Sequence, residues 1–120
     1  MLNNFCVNLT RSTDDPDRAT VAMVVANAAV ASGKPSMVFL SSEGVRLAVK
    51  GVADQINEEG FQPMATLLQN FLAAGGSVWV CSPCFKKRGY TGNDLIEGAT
   101  IVGGAKLVEL LSNDGTGVSY

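Results

Sequence analysis

The chain has 120 residues, the length of one ordinary domain, with 47% hydrophobic and 17% charged residues; a chain of that size and make-up buries one core unaided and is not disordered. Nine Lys and Arg against eleven Asp and Glu leave a net charge of −2, which offers no broad positive field for a phosphate backbone and argues against nucleic acid as a partner. There is no histidine, which removes Ser-His-Asp and Cys-His catalysis and every His-ligated metal centre.

"NNFCVNL" (3–9) is a short apolar run between polar residues and predicts a strand entering the core. "TRSTDDPDR" then supplies a helix start, with Asp15 as N-cap, Pro16 at the first helical position and Asp17 at the positive end of the dipole. The helix that follows is apolar on nearly every side and stops at Gly33. It is too short for a bilayer, so it is expected against the sheet, a second layer or another subunit. No membrane association is expected, and because the start carries neither a basic stretch nor a long apolar run, the expected location is the cytoplasm.

"PSMVFLS" (35–41) reads as a second buried strand, and residues 41–60 as a short helix with a polar excursion. The next helix spans 63–76, starting at Pro63, with Leu67, Leu68, Phe71 and Leu72 on one stripe and Gly75-Gly76 ending it. "SVWV" (77–80) is a third strand, running up to Cys81. "ATIVG" (99–103) gives a fourth, 104–115 a last helix, and "GVSY" a fifth strand. Apolar runs without period-two alternation, separated by helices, predict parallel strands covered on both faces. The expectation is one domain over 1–120, a three-layer flavodoxin-like or Rossmann-like α/β sandwich with a mostly parallel five-stranded sheet in the order 2-1-3-4-5.

The turn after the first strand holds neither GxGxxG nor GxxxxGK[ST], and Asp14, Asp15 and Asp17 there repel anions, so it reads as a polar loop rather than a nucleotide site. Cys6, in mid-strand, reads as a small core residue. Cys81 and Cys84 make the stronger case. They follow a strand whose carboxyl end is where open parallel sheets gather reactive groups. Ser82 and Pro83 are expected as N-cap and first helical residue beside them, and the cations Lys86, Lys87 and Arg88 lie one to two turns on. Positive potential of that kind favours thiolate over thiol.

Three sulfurs without histidine fall short of a zinc site, so no metal or other cofactor is expected. A thioredoxin-like dithiol oxidoreductase is a rival reading, but the pair comes late in the chain and no proline follows it. A third possibility is a non-catalytic adaptor domain in which the cysteines only pack.

Taken end to end, "NFCVNL", "DRATVAMVVANAAVASG", "PSMVFLSSEGV", "VWVC", "SPCFKK" and "RGY" resemble the DsrE/DsrF-like family, which includes sulfur-relay subunits and peroxiredoxin-like proteins. The resemblance implies a persulfide carrier, with Cys81 as the sulfur-accepting cysteine, Cys84 assisting, and Lys86, Lys87 and Arg88 stabilising the persulfide anion. It implies partners that are sulfur donor and acceptor proteins or small anionic sulfur compounds, and a homotrimer or homohexamer. Residues 42–60 are a candidate lid over the thiols.

Overall fold

A computed structural model of the chain describes residues 3–120. The five apolar runs form strands β1 (Phe5–Leu9), β2 (Ser36–Leu40), β3 (Ser77–Cys81), β4 (Ala99–Val102) and β5 (Thr116–Ser119). Between them lie helices α1 (Pro16–Ala31), α2 (Met64–Ala73), α3 (Ser82–Lys87) and α4 (Gly104–Ser112), with 3₁₀ turns at Ser42–Ala48 and Ala53–Gln55 joining β2 to α2. Every strand pairing is parallel. β2, buried at each of its positions, is the middle strand, as a run of five residues with no charge among them allows.

Local chemistry sets the element ends. The Asp15 carboxylate accepts the Arg18 amide at 3.1 Å and caps α1, with Pro16 as its first residue. The chain leaves that helix through Gly33, whose φ of 80° suits a residue without Cβ. α1 buries Ala19, Ala22, Met23, Ala26 and Ala29, while Val24 on its outer side is exposed. No helix among the described residues is long and apolar enough to cross a membrane.

The strand order differs from expectation. It is β4-β3-β2-β1-β5, with Met37 of β2 paired to Cys6 of β1 on one side and to Ser77 of β3 on the other. In the order 2-1-3-4-5 the chain doubles back over β1 after β2. Because parallel crossovers are right-handed, that reversal would put α1 and α2 on opposite faces. Instead the two helices pack side by side, and Asn27 of α1 donates from its side-chain amide to the Leu67 carbonyl of α2 at 3.0 Å. The reversal comes after β4, which sends α4 to the other face. There Lys106 stands 5.8 Å over the Trp79 ring.

Three successive crossovers on one face bring the carboxyl ends of β1, β2 and β3 under the Ser42–Ala48 segment. Val45, Leu47 and Ala48 are fully buried, so this part of the candidate lid is packed into the core. Gly44 lets it lie flat: a Cβ there would collide with the Leu9 carbonyl oxygen at the end of β1. Gly44→Ala is therefore expected to lower stability by about 1–3 kcal/mol, the usual cost of overpacking a well-packed interior, read as a lower melting temperature. An unchanged melting temperature would mean that the segment floats free of the strand.

Candidate active site

β3 carries the chain to the edge of the sheet and delivers Cys81, its last residue, as the N-cap of α3. Ser82, expected as the cap, is instead the first residue of the helix, and Pro83 the second. The shift is tolerated because the first-turn amide that proline lacks has no helical partner in any case. Cys84 lies one turn on from Cys81, and Phe85 beside it is buried, anchoring the helix. Cys6, Cys81 and Cys84 are all free thiols.

The two thiols of the pair differ. Cys81 is buried at 9% exposure, whereas Cys84 is only half-buried. Burial, and then the neighbouring Cys84 sulfur, push the Cys81 thiol above its ordinary value, and the Cys84 amide and Arg88 only partly offset them. Burial also disfavours the Cys84 anion. It is outweighed there by the Ser42 backbone amide, the Cys81 thiol and the charges of Arg88 and Lys87, which leave the Cys84 thiol below the ordinary range. Of the two, the outer sulfur is thus the more readily ionised and the inner the less. Cys6 stays apart in β1, pushed up to about 11 by burial, which the Phe39 amide only partly counters.

Ser42, whose amide favours the Cys84 anion, is set apart by its backbone. Its φ of 51° lies in the left-handed region, where a residue with a side chain costs of order 1–3 kcal/mol and persists only if its surroundings impose it. The next residue, Glu43, accepts from Arg46 Nε at 2.8 Å and from Arg88 Nε at 2.7 Å, one guanidinium on each carboxylate oxygen. Those hydrogen bonds, Arg88 first, hold the Glu43 carboxyl below its usual range. Arg88 Nη1 also donates to the Cys84 carbonyl at 3.1 Å. Arg46 donates to the Tyr90 hydroxyl at 2.7 Å, and the Tyr90 ring packs against Phe85 with centroids 5.2 Å apart.

The expected residues therefore divide. Cys81, Cys84, Lys87 and Arg88 converge, with Arg88 engaged by Glu43 and the Cys84 carbonyl rather than free. Lys86 is exposed, and its ammonium makes no hydrogen bond or ion pair among the described residues. Ser42, Glu43, Arg46 and Tyr90 belong to the site and escaped the sequence reading. The one available signal was the i, i+3 spacing of Glu43 and Arg46. Among the described residues no group of three or more His, Cys, Asp or Glu converges to hold a metal ion.

A parallel α/β domain with a polarised thiol pair at the carboxyl end of an interior strand defines the class. The chain belongs to the DsrE/DsrF-like family, whose sequence profile matches residues 3–118. It is 35% identical over 97 residues to the uncharacterized protein MJ0989 of Methanocaldococcus jannaschii, covering 81% of this chain and 82% of that one. With the uncharacterized protein MJ0760 of the same organism it shares 28% over 108 residues, which is 90% of this chain but 39% of that protein, so the chain spans about two fifths of that relative's length. The fold matches the crystal structure of the ychN protein from E. coli with a TM-score of 0.80 at 23% identity, over the whole of both chains. It also matches MTH1491 from Methanobacterium thermoautotrophicum with a TM-score of 0.72 at 15% identity, covering 98% and 99% of the two chains.

The electrostatics give a pH test. The alkylation rate of Cys84 is expected to reach half its maximum below about pH 8.5, where an ordinary thiol does. Arg88→Met removes a positive charge that favours the thiolate, so the midpoint rises. Well below both midpoints each unit of rise cuts the thiolate fraction about tenfold. Lys86→Met is expected to leave the midpoint in place. An Arg88→Met midpoint equal to wild type would show that this charge does not act on the sulfur.

Proposed function

We propose that the chain is a sulfur-transfer protein of the sulfur-relay type, in which the Cys81–Cys84 pair takes up sulfane sulfur as a persulfide and passes it on. The observation that carries this reading is a pair of free thiols, one of them favoured as thiolate by an amide, a neighbouring thiol and two cations. Membership of the DsrE/DsrF-like family supports it.

The chemistry is exchange of the thiol–disulfide type. A cysteine thiolate attacks the outer sulfur of a donor R–S–SH, giving Cys–S–SH and releasing R–S⁻. The persulfide is a stronger acid than the thiol and leaves an anion beside Arg88 and Lys87. Cations so placed also suit a small anionic donor such as thiosulfate, with Lys86 beside them on the same helix adding to the attraction. The donors and acceptors are protein persulfides and thiols or small anionic sulfur compounds. A homotrimer or homohexamer would cover apolar side chains left open in the single chain, Val24 and Val108 among them.

To test this, the protein is incubated with a low-molecular-weight persulfide, then intact mass and released sulfide are measured. The wild type is expected to gain one sulfur atom, or to release sulfide in step with a Cys81–Cys84 disulfide. The double variant Cys81→Ser/Cys84→Ser is expected to do neither. A wild-type protein that neither gains sulfur nor releases sulfide would overturn the reading, and so would a disulfide that turns over with a thiol reductant and is indifferent to sulfane sulfur.

A further inference from the structure

We infer that the two cysteines have fixed and unequal roles: Cys84 is the thiol that receives sulfur from the donor, and Cys81 is the resolving thiol behind it. This rests on the sulfur-transfer reading above and reverses the order that the family resemblance implies, in which Cys81 is the acceptor.

Accessibility is the first ground. Attack on a persulfide requires the incoming sulfur to approach its target along the S–S axis, so the attacking atom must meet a partner at the surface. Cys84 is partly open to solvent, whereas Cys81 lies at the end of β3 with 9% of its surface exposed. The second ground is what surrounds each sulfur. Ser42 sits in a left-handed turn that serine adopts only under constraint, and its backbone amide is among the groups that favour the Cys84 anion. Arg88, fixed by Glu43 at 2.7 Å and by the Cys84 carbonyl at 3.1 Å, stands on the same side. Cys81 has the complementary position, one helical turn before Cys84 and at the buried end of β3. A thiol so placed is kept from the donor but stands behind the receiving sulfur, so it attacks second.

The sequence of steps balances. Cys84–S⁻ attacks the outer sulfur of R–S–SH; the R–S to sulfur bond breaks, R–S⁻ leaves, and Cys84–S–SH forms. The Cys81 sulfur then attacks Cys84 Sγ, the bond from Cys84 to the sulfane sulfur breaks, and the Cys81 proton leaves with the product as H₂S. The sulfane sulfur gains two electrons and the dithiol loses two, becoming a disulfide. A thiol reductant returns the disulfide to two thiols. When an acceptor thiol attacks Cys84–S–SH before Cys81 does, sulfur is passed on and the pair stays reduced. The inner thiol thus sets how long the persulfide lives.

Two measurements test the assignment. On the wild type, alkylation with less than one equivalent of iodoacetamide at neutral pH, followed by peptide mapping, is expected to label Cys84; labelling confined to Cys81 would overturn it. Treatment with a low-molecular-weight persulfide is expected to leave a lasting one-sulfur gain on Cys84 in Cys81→Ser, and in Cys81→Ala should the serine variant fold poorly. Cys84→Ser is expected to lose the gain. A persulfide found on Cys81 in Cys84→Ser, with none in either Cys81 variant, would overturn the assignment and leave the sulfur-transfer reading standing. Alkylation of both cysteines with no sulfur gain in wild type or any variant would overturn that reading as well.

Discussion

Glu43 takes a different guanidinium on each of its oxygens, and the geometry of the thiol site depends on that sharing. Arg46 belongs to the same turn, but Arg88 lies 45 residues away on the far side of α2 and β3, so the carboxylate ties the end of β2 to the end of α3. The tie is not what holds the segment down. Partly exposed ion pairs are worth about 0.2–1 kcal/mol, whereas fully burying a Val or Leu side chain is worth about 1.5–3 kcal/mol, and Val45 and Leu47 are both fully buried. Burial fixes the segment, and Glu43 fixes its orientation. Orientation is what matters chemically, because the residue before Glu43 is the one whose amide favours the Cys84 anion.

That division explains why the site tolerates a strained residue. Ser42 pays for its left-handed backbone through the packing of Gly44, Val45, Leu47 and Ala48 after it, and the return is an amide that favours a negative charge on Cys84. The same amide could not be supplied by α3, whose first turn begins at Ser82 and carries a proline without N–H. A positive group from a second element is needed if Cys84 is to be an anion while still partly buried. With Cys81 buried behind it and the charges of Arg88 and Lys87 to the side, the outer sulfur is the one favoured to carry a negative charge.

Some of this was legible in the sequence. The strands and helices follow from apolar runs and punctuation, and the Asp15-Pro16 start of α1 is where its side-chain chemistry puts it. The order of strands was not legible, since 2-1-3-4-5 and the observed order demand the same alternation of elements. What separates them is the α1–α2 contact, signalled only by one polar residue, Asn27, in an apolar helix. The thiol pair was plain from its spacing, but the division of charge within it depends on which sulfur the Ser42 amide reaches. Nothing local marks a serine for the left-handed region, and no periodicity pairs Glu43 with Arg88. The N-cap moved by one residue because the chain turns at the Cys81 backbone, and no side chain makes a capping bond to pin the start to Ser82.

The strand order also explains why the site is not where open sheets usually hold ligands. In doubly wound folds the crevice opens where the chain reverses direction and adjacent crossovers leave on opposite faces. The reversal in this sheet places β5 beside β1, and that edge is occupied: the Tyr120 carbonyl accepts from the Thr10 amide at 3.1 Å and from its hydroxyl at 2.9 Å. The thiols lie instead at the end of β3 and the start of α3, beside the turn that leaves β2, and the crossovers from β2 and β3 leave on the same face. Two connections leaving on one face crowd each other, and the crowding presses the Ser42–Ala48 turn against α3. A crevice admits a ligand between two layers. A crowded edge presents a side chain outward with backbone and charge packed behind it, which is the arrangement that sulfur exchange with another molecule's thiol requires.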